Sequence, residues 1–533
     1  MGVRRHKHWG WGFEDQQLSA ADAQALASTL AGHLGMETRD LEAPVPLETA
    51  TLAPPRLAPP GSLAEISASD RHARASHALG KSYSDVVRGF RGEFEHPPDF
   101  VARPRDESDI ERLLEWCASE RVAAIPFGGG TSVVGGVTPI VGSGYNGAVS
   151  IDLAALDRVL EVDPVSRSAR IQAGASGPAL ERQLGEQGLT LRHFPQSFEF
   201  STLGGWIATR AAGHFATVWT HMEDFLESVR ALTPAGVWAS RRLPGSGAGP
   251  SPDRMLAGSE GTLGVITEAW VRVQPRPEHR RSAGVRFASF QLGAECVREI
   301  AQAGLHPSNC RLLDAGEARL TSAGDGSHAV LVLGFESTDR PVDGSLQRAL
   351  EICAEHGGLP SPSGERTAAG ADAVSSWREA FLGAPYMRDT LVAIGVLSET
   401  FETAITWERF PTFHERVSAA ATQAVGEVCG EGGRVLCRFT HVYPDGPAPY
   451  FTVLAPARRG EEVEQWRTIK RAVSDVIEAE GGTITHHHAV GRDHRPWYDA
   501  QRPEPFAAAL RGAKGAVDPE GVMNPGVLFD PAT

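Results

Sequence analysis

Apolar positions along the chain recur with two periods. Between residues 18 and 34 the spacing is helical, clearest in Ala23, Leu26, Ala27, Leu30 and Leu34. Pro44 to Pro60 is rich in proline and predicts an extended linker wrapped on the body. Residues 63–90 predict helical or mixed structure around Arg71-His72-Ala73-Arg74. Residues 1–95 therefore form an expected N-terminal helical arm and linker.

From Pro97 the pattern changes. Phe100-Val101-Ala102-Arg103-Pro104 predicts a short strand. Asp106 to Arg121 predicts an amphipathic helix, with Ile110, Leu113, Leu114 and Cys117 on one face and acidic residues at its start. Ala123-Ala124-Ile125-Pro126-Phe127 is then a strand feeding a glycine-rich turn. Strand alternation returns at 149–153, 159–163 and 168–174, and again at 228–240 and 263–274, with a helix over Pro178–Gln187. Gln274-Pro275-Arg276-Pro277 predicts a boundary, so 96–276 is one expected unit. Beyond it, 277–440 predicts a second α+β unit that includes a buried strand at 329–335 and a helix at 341–356. Residues 441–533 read as a C-terminal segment of short loops and helices. The fold class predicted is α+β.

Composition narrows the function. The 533 residues carry 51 Lys and Arg against 66 Asp and Glu, a net charge of −15. A polyanion is repelled overall, so nucleic acid is an unfavourable partner. Six scattered cysteines form no CxxC pair, which fits reduced thiols in a cytoplasmic protein. No run of about 18 apolar residues predicts a membrane span. The start, Met1-Gly2-Val3-Arg4-Arg5-His6, lacks the apolar core of a secretory signal. The end, Asp530-Pro531-Ala532-Thr533, carries no recognisable address.

Three glycine turns carry the chemistry. The first is Pro126-Phe127-Gly128-Gly129-Gly130-Thr131-Ser132, directly after a strand. Consecutive glycines permit positive φ and close backbone approach, and successive N–H groups can face one concavity suited to a pyrophosphate. The pattern is neither a Rossmann fingerprint nor a P-loop. The second is Pro195-Gln196-Ser197-Phe198-Glu199-Phe200-Ser201-Thr202-Leu203-Gly204-Gly205-Trp206-Ile207-Ala208-Thr209-Arg210-Ala211. The third is Gly258-Ser259-Glu260-Gly261-Thr262-Leu263-Gly264.

In this order the turns resemble the FAD-binding domain of the vanillyl-alcohol oxidase / p-cresol methylhydroxylase (PCMH) superfamily. Within it the chain is most similar to the alkyldihydroxyacetonephosphate synthases, from Trp9-Gly10-Trp11-Gly12 to Asn524-Pro525-Gly526. The resemblance implies a PCMH-type FAD-binding domain of two subdomains over 96–276. It implies a cap, or substrate, domain over 277–440 and a 441–533 segment that completes the active site. FAD is then held by 126–132, 195–201, 208–211 and 258–264, without a covalent bond, although His193 is a conceivable attachment point.

The C-terminal run Thr485-His486-His487-His488-Ala489-Val490-Gly491-Arg492 stands out. In an extended segment His486 and His488 share a face and His487 takes the other. A neutral imidazole beside a flavin is a suitable proton acceptor. The related 2-hydroxyacid dehydrogenases have one metal-binding stretch like H-x-G-D-G-N-L-H and another like S-E-H-G-I-G. Here Tyr450 takes the place of the second histidine after His441, and His487 that of the glutamate, so no metal is expected. The resemblance to the synthases implies that Tyr450 is a proton donor or hydrogen-bonding acid. It implies that His487, with His486 and His488 beside it, removes a C1 proton. Arg388 would bind the substrate phosphate, and Arg311 would support the site near the flavin.

The implied reaction converts acyl-dihydroxyacetone phosphate through a flavin N5 adduct. Fatty acid leaves, a fatty alcohol enters, and an ether is released with no net electron transfer, a step in ether-lipid synthesis. The alternative is an FAD-dependent oxidoreductase of a 2-hydroxy acid or related alcohol. Small lipid substrates, a homodimer and peripheral membrane contact are further implications, although no amphipathic anchor is evident.

Overall fold

The computed structural model describes residues 5–16, 19–34, 41–360 and 373–530. Expectations touching Leu18, the side chain of Leu34, and residues 1–4 and 531–533 lie outside these residues.

The first sheet has four strands, in the order Ser67–Ala68, Phe100–Ala102, Gly147–Asp152 and Val122–Phe127. The last three run parallel. That direction requires a crossover, and the helix Glu107–Glu120 provides it. Asp106 caps this helix by accepting from the Asp109 N–H, and Arg121 ends it in the left-handed region. Ile110, Leu113, Leu114 and Cys117 are buried, as the spacing predicts. The far end of the chain completes the sheet. The Ala124 N–H donates to the Val522 carbonyl (2.8 Å) and the Asn524 N–H to the Ala124 carbonyl (2.9 Å).

The second sheet is antiparallel, in the order Gly236–Ala239, Leu226–Thr233, Val265–Arg272, Ser168–Gln172 and Val159–Asp163. It shares one core with the first, including Leu113, Ile151, Ile171, Trp206, Val265 and Met523.

The third sheet has seven antiparallel strands: Leu359–Pro360, His279–Phe287, Ala329–Ser337, Asn309–Leu313, Arg434–Val442, Pro447–Pro456 and Val396–Glu402. Amphipathic helices, among them Phe290–Gln302, Phe410–Cys429 and Glu462–Ala479, bury their apolar faces in the same core as these strands. The division expected at residue 440 falls inside Arg434–Val442, and Pro447–Pro456 continues the sheet. Tyr450 therefore sits on a strand paired on both sides, which fixes its direction.

The N-terminal arm packs on this third unit. The helix Ala20–Leu34 places Ala27 and Leu30 against Leu391, Ile394 and Leu454. Nearer the start, Trp9 and Trp11 are buried. The Trp11 N–H donates to Asp389 (2.9 Å), and the Lys7 ammonium pairs with the same carboxylate (3.0 Å). Among the described residues no helix is long and apolar enough to cross a membrane.

Candidate active site

The three glycine turns meet at one cavity of about 340 Å³, a volume typical of small-molecule sites. The first turn leaves the strand Val122–Phe127 against the second. A Cβ on Gly129 would overlap the Phe200 carbonyl, and one on Gly128 would overlap the Thr202 hydroxyl. Gly130 has φ +64°. Backbone thus lies directly on backbone, which only glycine allows. Among the described residues nothing accepts from the N–H groups of Gly128, Gly129, Gly130 or Thr131. These donors at a side-chain-free concavity fit a pyrophosphate bridge.

The third turn locks the chain end to this cradle. The buried Glu260 carboxylate accepts from the N–H groups of Val490 (2.9 Å) and Gly491 (2.8 Å). Burial nevertheless pushes its carboxyl up to about 7. The Asn524 amide donates to the carbonyls of Gly136 (3.0 Å) and Glu260 (2.7 Å).

All of Pro126–Ser132 lines the cavity, with Pro195, Gln196, Ser197 and Ser201 from the second turn. Ala208, Thr209 and Ala211 line it too, as do Glu260, Gly261 and Gly264. The remaining predicted cofactor residues stand behind this lining. Phe198 stacks on Trp206 (6.4 Å). Glu199 accepts from the Tyr386 hydroxyl. Phe200 packs on Phe13 and Trp11 of the arm. Arg210 pairs with Glu223 (2.7 Å), and Gly258 turns back over Arg210. Ser259, Thr262 and Leu263 are buried, with the Thr262 hydroxyl donating to the Ser259 carbonyl (2.6 Å). His193 is buried against Trp206 (5.2 Å) and Phe225 (5.5 Å), away from the cavity, and burial pulls its imidazole down to about 3.

Tyr450, His487, His488, Arg311 and Arg388 also line the cavity. The histidine run is not extended as expected. It bends, because the N–H groups of His486 (2.5 Å), His487 (2.8 Å) and His488 (2.9 Å) converge on the Glu402 carboxylate. The Thr485 hydroxyl donates to it as well. The faces therefore differ from simple alternation: His487 and His488 face the cavity, and His486 turns away to the Tyr443 hydroxyl (2.7 Å). Glu402 sits opposite Tyr450 in the strand register, so one sheet positions both.

The Arg311 guanidinium donates to the His214 carbonyl (3.1 Å) and to Asn309 Oδ1 (3.2 Å). Burial pulls it down to about 10. Arg388 lies on the helix Ala373–Ala393 and donates to the Lys81 carbonyl (2.9 Å). Its neighbour Asp389 carries the anchor to the arm.

Two further residues escape the sequence patterns. Glu402 is one. Arg438 is the other: its guanidinium lies 3.9 Å over the Tyr450 ring and 5.3 Å from that of Trp377, and it pairs with buried Glu317. No local signal singles them out: Arg438 shares Arg434–Val442 with Arg434 and His441, and Glu402 shares Val396–Glu402 with Glu399. The ring nitrogens of His441, His486 and His487 come within 4.8 Å of one another, a spacing a metal ion would accept, although His486 is already bonded through both nitrogens.

The FAD binding domain family matches residues 98–240, and the FAD linked oxidases C-terminal domain family matches 276–528. Alkyldihydroxyacetonephosphate synthase of Dictyostelium discoideum is 30% identical over 488 residues, covering 86% of this chain and 78% of that protein. A solved alkyldihydroxyacetonephosphate synthase superposes with a TM-score of 0.80 at 26% identity, over 97% of this chain and 98% of that one. Substrate-bound p-cresol methylhydroxylase shares the fold, with a TM-score of 0.69 at 13% identity over 97% and 98%. FAD is accordingly the cofactor, and the chain belongs to the alkyldihydroxyacetonephosphate synthase family of FAD-linked enzymes.

Proposed function

We propose that this enzyme exchanges the acyl group of acyl-dihydroxyacetone phosphate for a fatty alcohol, with no net redox change. One observation carries the reading. The glycine cradle, the polar group of Tyr450, His487 and Arg388, and an apolar arm lined by Leu30, Leu320, Met387, Leu391 and Leu454 are parts of a single cavity. A flavin, a phosphate-bearing head and an alkyl chain each find matching chemistry there.

FAD, when bound, would supply an electron sink for the reaction. Residues 126–132, with the lining parts of the other two turns, would hold it non-covalently, since His193 lies behind Trp206. Arg388 binds the phosphate through its guanidinium fork. His487 takes the C1 proton, and the Glu402 carboxylate, 3.3 Å from its Nδ1, fixes the ring. Tyr450 donates to the departing carboxylate, with Arg438 over its ring. Arg311 would support the cavity wall through its bonds to the His214 carbonyl and Asn309. The apolar arm takes the chain and excludes water, which favours attack by alcohol. A homodimer in the cytoplasm with peripheral membrane contact completes this reading.

Flavin spectra test it. Acyl ketone phosphate should bleach the flavin anaerobically, and fatty alcohol alone should restore the oxidised spectrum. Bleaching that persists until an electron acceptor is added would instead mark an oxidoreductase.

A further inference from the structure

Behind His487, away from the cavity, five groups form an unbroken hydrogen-bonded chain. His487 Nδ1 lies 3.0 Å from His486 Nδ1. His486 Nε2 lies 2.7 Å from the Tyr443 hydroxyl, which lies 3.0 Å from the Thr220 hydroxyl. Thr220 Oγ1 lies 3.1 Å from His221 Nδ1, and His221 Nε2 lies 2.9 Å from the His486 carbonyl.

Both ends of this chain dictate one proton order. A carbonyl can only accept, so His221 Nε2 carries a hydrogen. Burial lowers His221 and holds His486 well below the usual histidine range, so both rings rest neutral. His221 Nδ1 must then accept from Thr220, Thr220 from Tyr443, and Tyr443 from His486 Nε2–H. That leaves His486 Nδ1 as an acceptor, filled by His487 Nδ1–H. The other end agrees independently. The Glu402 carboxylate, 3.3 Å from His487 Nδ1, also requires a hydrogen there. As the proposed base, His487 would take its proton at Nε2.

We propose that Tyr443, Thr220 and His221 form a proton relay that drains His487 during turnover. When His487 Nε2 gains a proton, its Nδ1–H passes to His486 Nδ1. The His486 Nε2–H moves to Tyr443, the Tyr443 proton to Thr220, and the Thr220 proton to His221 Nδ1. One proton enters at His487, one positive charge ends on His221, and no other group changes charge. His221 is half-buried, its backbone N–H donates to the Asp224 carboxylate (3.0 Å), and this nearby negative charge favours the protonated ring through space. Tyr443, Thr220 and His221 lie outside the cavity lining and act only through His487.

The proposal rests on the assignment of His487 as the base, and two measurements separate the claims. Neutron diffraction from the deuterium-exchanged holoenzyme should place deuterons on His487 Nδ1, His486 Nε2 and His221 Nε2. A deuteron on His486 Nδ1, or a metal ion between the rings, would overturn the relay whatever the substrate. Exchange of the C1 hydrogen of acyl-dihydroxyacetone phosphate with D₂O is then followed in flavin-loaded protein. Tyr443→Phe and Thr220→Val should each slow it by about tenfold or more, with KM and flavin content kept. Thr220→Ser should recover most of the loss, and the double variant should be no slower than the slower single one. Wild-type rates in Tyr443→Phe, or losses that multiply in the double variant, would overturn the relay. An absence of exchange in the wild type would refute the substrate reading instead, leaving the deuteron positions to decide the relay.

Discussion

At the scale of single residues, the site is a set of charges whose partners fix their directions. Arg388 is held by the Lys81 carbonyl on one side and by anchored Asp389 on the other. Its fork is thus presented to the cavity in one orientation. Arg388→Lys replaces a planar fork with a point charge. KM for a phosphate-bearing substrate should rise by about tenfold, roughly 1.4 kcal/mol, with flavin content unchanged. An unchanged KM would remove Arg388 from the phosphate site. Tyr450, His487, Arg311 and Arg388 came from the family resemblance, and the fold brings all four to one cavity. Glu402 and Arg438 did not come from it. Their partners lie 85 and 12 residues away, His487 for the one and Tyr450 for the other. Only the folded sheet brings either pair together.

At the scale of elements, turns were easier to read than side-chain directions. The glycine turns were recognisable because close backbone packing excludes every other residue there. Gly129→Ala would push a Cβ into the Phe200 carbonyl, a backbone atom that cannot swing aside. The variant should purify with little or no bound flavin, and full flavin occupancy would disprove the tight cradle. The histidine segment misled the alternation rule because a buried carboxylate gathers three successive N–H groups and bends the chain. Glu402→Gln sets an amide donor against those donors, at a cost of about 1–3 kcal/mol for each group left unsatisfied. kcat should fall by about 10–100-fold while flavin stays bound. A normal kcat would show that the bend does not position the base.

At the scale of the molecule, local patterns mark helices and turns but not long-range strand pairing. The strand Pro447–Pro456, for one, pairs with Val396–Glu402 and Arg434–Val442 across the expected division at residue 440. Buried titratable groups also shape the whole molecule's stability. Burial pulls His193 down to about 3 and His494 to about 4, with His214, His441, His486 and His488 well below the ordinary 6.5. Each binds a proton on unfolding, so its contribution falls as pH drops from 6.5 through those values. Glu260 and Asp493, raised to about 7, and Asp314, raised to about 6, act oppositely. Their contribution is complete below the ordinary 4.5 or 3.8 and is lost as pH rises through 6 to 7. The two sets oppose each other between 4.5 and 6.5, and below 3.8 the raised carboxyls no longer offset the histidines. Thermal melts should therefore show Tm dropping steeply below a pH of about 4. A flat acid limb would mean that these imidazoles are charged in the fold.

The most direct test of the whole account is a strictly anaerobic incubation of the holoenzyme with acyl-dihydroxyacetone phosphate and radiolabelled hexadecanol, without any electron acceptor. Label should pass into an alkyl ketone phosphate, with one fatty acid released for each ether formed. No incorporation, together with acceptor-dependent turnover of a 2-hydroxy acid, would contradict it.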